Sequence, residues 1–288
     1  MRYKEEKVLK KEVEPEFYTS AINTPARNYK VYYMKPSEKL FNFLAGFVIG
    51  GVLGYIFYGG IGKDAFNEPT TTTYIANAIV VILFGLLTGF VVLPVRRKQL
   101  LEKRKNALKL QFRQLLDNLS VAIGSGKNIP DAFISSCDDL KIIYSDDDYI
   151  IQELELIKTG LTNGVNIEEM LKDFGERSGI TDIKSFASVF ETCYRKGGNI
   201  KDIIRSTQQI LVDKIEIEMD IETVITSSRT ELNIMMVMPV ILISLIKVSS
   251  PDFAGNFTSA SGIVATTVAL IMFVVAYFIG RKILKIKI

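Results

Sequence analysis

Four long apolar stretches bracket a polar middle in which hydrophobic positions recur with a helical period. The stretches run from about Leu40 to Gly62, Tyr74 to Val95, Asn233 to Val248 and Gly262 to Gly280. A helix that crosses a bilayer needs roughly 20 apolar residues, with about 17 as a lower bound. The first, second and fourth stretches reach that length, and the third does so with its uncharged polar flanks. In the middle, Leu108, Phe112, Leu115, Leu119 and Ala122 fall on one helix face. Ile150, Leu154, Ile157 and Leu161 do the same after Ser145-x-x-Asp148, which reads as a capping box. Ile167, Met170, Leu171 and Phe174 predict a short helix, and Ile183, Phe186, Ala187, Phe190 and Cys193 the next. Ile203, Ile210, Ile217 and Val224 then recur every seventh residue, with no glycine or proline before Pro239. That run predicts one long helix entering the third stretch. No segment alternates at period two, so the chain reads as all-α. The expected architecture is a polytopic membrane protein with four transmembrane helices, two N-terminal and two C-terminal, flanking one cytosolic helical-bundle domain.

One phrase occurs three times between the helices of the middle: Gly126-Lys-Asn128-Ile129-Pro-Asp131, Gly164-Val-Asn166-Ile167-Glu-Glu169 and Gly197-Gly198-Asn199-Ile200-Lys-Asp202. Each reads as a helix stop followed at once by a helix start. The glycine supplies a left-handed residue that ends one helix. The asparagine caps the next, and the acid three residues later reaches back to the cap. Gly126, Asn128, Gly164, Asn166, Gly197, Gly198 and Asn199 are therefore assigned to the fold, as helix caps.

Charge sets the expected orientation. Arg96, Arg97, Lys98, Lys103, Arg104 and Lys105 follow the second stretch, and Arg281, Lys282, Lys285 and Lys287 follow the fourth. The loop Lys63–Thr73 holds one basic residue and the loop Ser249–Ser261 none. The positive-inside rule then puts both termini and the middle in the cytoplasm. The reading is a cytosolic N-terminal arm (1–39), a transmembrane hairpin (40–95), a cytosolic helical domain (96–232), a second transmembrane hairpin (233–280) and a cytosolic basic tail (281–288), in the cell (inner or cytoplasmic) membrane. The arm, with mixed charge and several prolines, reads as loosely ordered. The net charge of +3 hides an asymmetry: residues 96–109 hold seven basic residues and one acid, whereas residues 110–233 hold 13 basic and 22 acidic. The basic collar reads as an anchor at anionic headgroups. The acidic body argues against nucleic acid, whose affinity comes from basic patches.

Chemistry is sparse. There are no histidines, which removes the usual general base and the commonest metal ligand. No P-loop pattern and no G-x-S-x-G occurs. Cys137 and Cys193 match no metal spacing and read as small apolar fillers. The clusters Asp138-Asp139 and Asp146-Asp147-Asp148 miss the D-D-x-x-D order of magnesium-dependent isoprenoid enzymes and read as solvated, helix-capping acids. No catalytic, cofactor-binding or metal residue is assigned. In the spans, Gly46, Gly50 and Gly54, and Gly85 and Gly89, form small-residue ladders that let helices approach closely. Pro239 is expected to kink the third span, and Lys247 to snorkel at its outer end. A small-solute transporter or channel would need a polar path, and the spans offer scattered Thr, Asn and Ser. A membrane lipid enzyme would rest on the aspartate clusters.

Leu119-x4-Gly124-Ser-Gly126 running into Ile129-Pro-Asp131-Ala132-Phe133, the middle Gly164-x-Asn166-Ile167 turn, and Gly197-Gly198-Asn199-Ile200 before a long helix with Arg229 and Pro239 resemble one family. This is the type II secretion system F family, the polytopic platform proteins of type II secretion, type IV pilus and Tad (tight adherence) pilus machines. The resemblance covers about residues 107–245. One helical domain between two pairs of spans is similar to the Tad-type members, and the long charged arm departs from the pattern. The resemblance implies a non-enzymatic platform without cofactors. Its implied partners are a cytosolic secretion ATPase, prepilin or pilin-like subunits, other platform copies or a paralogue, and membrane lipids. The exposed hairpin tips Lys127, Asn128, Arg195 and Lys196 are the candidate partner contacts.

Overall fold

The computed structural model describes residues 14–62 and 68–283. The first thirteen residues of the N-terminal arm, the loop residue Lys63, and Lys285 and Lys287 of the tail lie outside the described residues. The protein is almost entirely helical. Four helices are long and apolar enough to cross a membrane: α1 (Pro36–Tyr58), α2 (Thr71–Gly124), α7 (Ile200–Ser249) and α9 (Ala260–Ile283). The described residues form two compact units, one drawn from the ranges 34–97 and 214 onward, the other from those up to 33 together with 98–213. Helices α2 and α7 contribute to both.

In the first unit, Pro36 opens α1, where its missing N–H costs nothing. The glycine ladders lie in the α1–α2 contact. A Cβ on Gly46 would stand 3.1 Å from the Cα of Gly89, and one on Gly50 would fall on the Thr88 hydroxyl. Gly54 faces Phe84, Gly85 faces Phe47 and Gly89 faces Phe43. The Thr88 hydroxyl sits 2.8 Å from the carbonyl oxygens of both Gly46 and Phe84, so its polarity is satisfied inside the helix pair. The outward faces carry exposed Leu44, Val48, Val52, Leu87, Phe90 and Val91, a surface that lipid would cover. At the end of the third span the Lys247 Nζ donates to the Phe57 carbonyl at 3.3 Å and lies 5.4 Å from the Phe257 ring. The stretch read as an outer loop, Ser249–Ser261, contains a further helix, α8 (Pro251–Thr258), again opened by proline.

Helix α2 is a single run of 54 residues. Sequence patterning treats it as a span and a separate body helix, because apolar periodicity vanishes across the basic collar. Lys, Arg, Glu and Gln are good helix formers, so the collar changes the solvent of the helix without breaking it. Pro94 sits inside the run and removes one backbone donor. Helix α7 is the uninterrupted helix that its sevenfold spacing predicts, with Pro239 inside it.

The second unit is a helical body of α3 (Ile129–Leu140), α4 (Tyr149–Thr162), α5 (Ile167–Ser178) and α6 (Thr181–Lys196), with the adjoining parts of α2 and α7. The apolar faces read for α2 and α4 to α6 meet in one core, whereas Ile210, Ile217 and Val224 of the sevenfold series in α7 are exposed. Its centre is aromatic: Phe112 packs edge-on against Phe174 and Phe186, at centroid distances of 6.1 and 5.4 Å, and Phe133 meets Phe190 at 6.4 Å. Close helix approach is again glycine-dependent, as a Cβ on Gly175 would lie 3.1 Å from the Cα of Lys184.

The N-terminal arm is the main departure from expectation. Residues 14–33 belong to the body rather than being loosely ordered. β1 (Phe17–Thr19) and β2 (Pro25–Arg27) form an antiparallel hairpin with Phe17 opposite Arg27 and Thr19 opposite Pro25. The chain then delivers Tyr29, fully buried, into the helical core. The Tyr29 backbone N–H donates to the Arg177 carbonyl at 3.0 Å, tying strand-like chain to the end of α5.

Candidate functional site

The three repeated turns share one backbone device. Gly126, Gly164 and Gly197 have φ of +91°, +77° and +74°, a region that favours glycine. At the first turn the Lys127 N–H reaches the Ala122 carbonyl and Gly126 N–H that of Ile123. At the second, Val165 N–H reaches Gly160 and Gly164 N–H reaches Leu161. Both are Schellman closures, and at the third the Gly198 N–H reaches the Cys193 carbonyl. The asparagines differ. Asn128 accepts the Asp131 N–H at 2.8 Å, and Asn199 accepts that of Asp202 at 3.4 Å. Asn166 makes no such bond and instead donates to the Glu169 carboxylate at 3.4 Å. A fourth left-handed glycine, Gly179, ends α5 in a turn that the repeat does not include.

Up-and-down helices bring the three turns to one end of the body. Glu168, early in α5, lies 3.6 Å from Arg195, late in α6. Phe133, early in α3, packs on Phe190, late in α6. Lys127, Asn128, Arg195 and Lys196 are exposed at that end. Asn128 is engaged in its cap, and Arg195 lies between Glu168 and Glu191, at 3.6 Å from each.

The opposite end holds the α3–α4 turn. The capping box expected at Ser145 runs the other way. Asp148 is the N-cap of α4, and its carboxylate accepts the backbone N–H and hydroxyl of Ser145 and the Gln111 amide. Asp146 faces Lys141 at 3.9 Å, and Asp138 pairs with Lys158 at 3.0 Å. Among the described residues no group of three or more His, Cys, Asp or Glu side chains is arranged to hold a metal ion. The buried Cys137 thiol points at the Glu155 carboxylate, 3.6 Å away. Burial, then that carboxylate, push its pKa up to about 11, so it stays an unreactive thiol.

Between the arm and the helices lies a buried ionic knot that sequence reasoning missed. Arg177 donates from Nη1 and Nη2 to both oxygens of Glu153, at 2.8 and 2.6 Å, and from Nε to Asp173 at 2.8 Å. The Arg177 and Glu153 side chains are 4% and 2% exposed. Tyr29 Oη donates to Glu153 at 2.9 Å, and Arg177 Nη1 also donates to the Arg27 carbonyl at 3.1 Å. Burial opposes the Arg177 charge, but the hydrogen bond and charge of Glu153, then Asp173, outweigh it and raise the pKa. Burial, then the Glu153 carboxylate, push the Tyr29 phenol well above its ordinary value and keep it a donor. A signal for the knot was present: Glu153 is in phase with Ile150, Leu154 and Ile157, and Arg177 with Met170, Phe174 and Leu171. A charge at a core register position needs a buried partner.

The collar takes part in the same contact. Arg104, read as a lipid anchor, is 7% exposed; its guanidinium lies 4.4 Å from the Tyr32 ring and donates to the Val31 carbonyl at 3.2 Å. Lys105 reaches the Gly179 carbonyl at 3.5 Å. These two cations hold the arm and the α5–α6 turn.

Residues 115–246 match the family model described as Type II secretion system (T2SS), protein F. The matched region begins late in α2, covers α3 to α6 entirely and ends within α7. No curated protein and no solved structure matches the chain. Together with the four helices long and apolar enough to cross a membrane, one of whose apolar stretches lies largely within the match, this supports a multi-pass membrane protein. Residues 115–246 are a domain of the type II secretion system F family, the membrane platform proteins of secretion and pilus machinery.

Proposed function

We propose that the chain is the membrane platform of a type II secretion, type IV or Tad pilus-like assembly machine, coupling a cytosolic secretion ATPase to pilin insertion and protein export. The observation that carries this is the family match, which includes the whole helical hairpin array and the start of the last apolar hairpin. Two features support a transmitting role. Helices α2 and α7 each continue from body residues into an apolar stretch without interruption. The body core is closely packed and aromatic, and such interiors transmit displacement rather than absorb it.

In this reading the ATPase engages the helical domain from the cytoplasm, pilin-like subunits and other platform copies pack against the spans, and the chain catalyses nothing itself. Replacing Asp213-Lys214 with Gly-Pro breaks α7 at the boundary between the two compact units. The expected outcome is normal membrane insertion with loss of pilus or substrate assembly. Normal assembly by that variant would sink the lever. Recovery of a P-loop ATPase and a prepilin-like protein with the detergent-solubilised chain checks the partners. Recovery of a lipid or solute instead would favour an enzyme or transporter.

A further inference from the structure

The turn between α3 and α4 packs Tyr144 on the core but leaves its two isoleucines outside both the core and the proposed coupling. Ile142 and Ile143 are 85% and 62% exposed there, although Leu140 just before them is fully buried. Turn positions select Gly, Asn, Asp, Ser and Pro, and nothing in turn geometry calls for two adjacent β-branched side chains. Close by, the β1–β2 hairpin and α4 leave a groove of about 590 Å³. Phe17, Ile22 and Leu156 line it as apolar wall, and Lys141 and Asp146 of the same turn reach it. A groove of this size takes one or two inserted side chains.

Charge says what covers this surface. Lys141 is drawn to Glu155 at 2.6 Å and Lys158 to Asp138 at 3.0 Å, and the third cation, Arg27 in the groove wall, lies against the Tyr149 and Phe17 rings at 5.7 and 6.0 Å. Asp139 and Asp147 are exposed and have no cation against them among the described residues, and the Asp146 side chain is 90% exposed. Carboxylates therefore outnumber cations around the apolar tip, and Asp139 and Asp147 leave it with excess negative charge. Anionic headgroups would be repelled by it. A second copy docking through the same patch would set acid against acid, which is costly across an interface.

We infer that the α3–α4 tip and the adjoining groove form a docking surface for a partner protein that presents an apolar side chain flanked by lysine or arginine. The inference does not rest on the secretion reading, since it follows from exposure and charge alone. The test uses the full chain in its own cells, with the photoreactive residue p-benzoyl-phenylalanine replacing Ile142. The expected adduct is a protein whose cross-linked peptide carries basic residues beside an apolar one. In isolated membranes its yield should fall about tenfold at high salt, and similarly with D146K/D147K. The salt arm keeps the test valid if the charge-reversed chain fails to fold. An adduct confined to phospholipid, to a second copy, or to residues 1–13 of the same chain overturns the inference. So does a yield indifferent to salt, or no adduct at all. A basic partner that is not a secretion ATPase would support the surface and leave the proposed drive to its own test.

Discussion

At the residue scale, the most consequential side chains are Glu153 and Arg177, buried with Tyr29 where the arm meets the helices. A buried ion pair is poor evidence of net stabilisation, because desolvation offsets much of the attraction. Breaking one half is a different matter, since the survivor is left charged and unpartnered. R177M is expected to cost the body about 3–5 kcal/mol, whereas E153L/R177M should recover much of that loss. Chemical unfolding of the two variants and the parent measures it; a double variant as unstable as the single one would mean the pair contributes beyond mutual neutralisation. This knot shows where sequence reading stopped. The helical phase of Glu153 and Arg177 was legible, but Tyr29 lies in a stretch with no periodicity, so nothing marked it as their third partner.

Elements were far more legible than residues. Most body helices follow from spacing at 3.6, α3 follows from the cap at Asn128, and the spans follow from length, because these signals are written locally. The β1–β2 hairpin was invisible, since three-residue strands carry no alternation to read. Continuity of α2 was missed for a different reason: hydrophobic pattern reports the surroundings of a helix, and those change at the collar while the backbone does not. The repeated turns look equivalent in sequence but differ in chemistry. N128A should cost about 0.5–2 kcal/mol of body stability, as removal of a working cap does. N166A should cost less, because Asn166 makes no bond to the following backbone. Thermal melts of both variants decide it, and equal losses would show that the side-chain cap bond is not what these positions contribute.

At the scale of the whole molecule, the buried arm constrains topology without any appeal to charge counting. Tyr29 lies in the same core as α4 and α5, and α1 together with the apolar part of α2 intervenes along the chain. Only an even number of membrane crossings between them allows this, so residues 14–33 and the helical body share one side. A protease site inserted before Glu14 and another at Lys127 should both be cut, or both protected, in sealed vesicles of one orientation. Cleavage of one alone would contradict the arrangement.

The arm also sets a clock. Tyr29 donates to Glu153, 124 positions further along the chain, and to reach its full setting it must wait for Arg177 as well. At roughly 5–20 residues per second of synthesis, that wait is on the order of ten seconds. Two apolar stretches enter the membrane meanwhile, so the aromatic arm stands exposed until its slot exists. Completion of the body is therefore a late event of biogenesis, and any factor that shields residues 14–33 during it would govern how much folded protein the cell obtains.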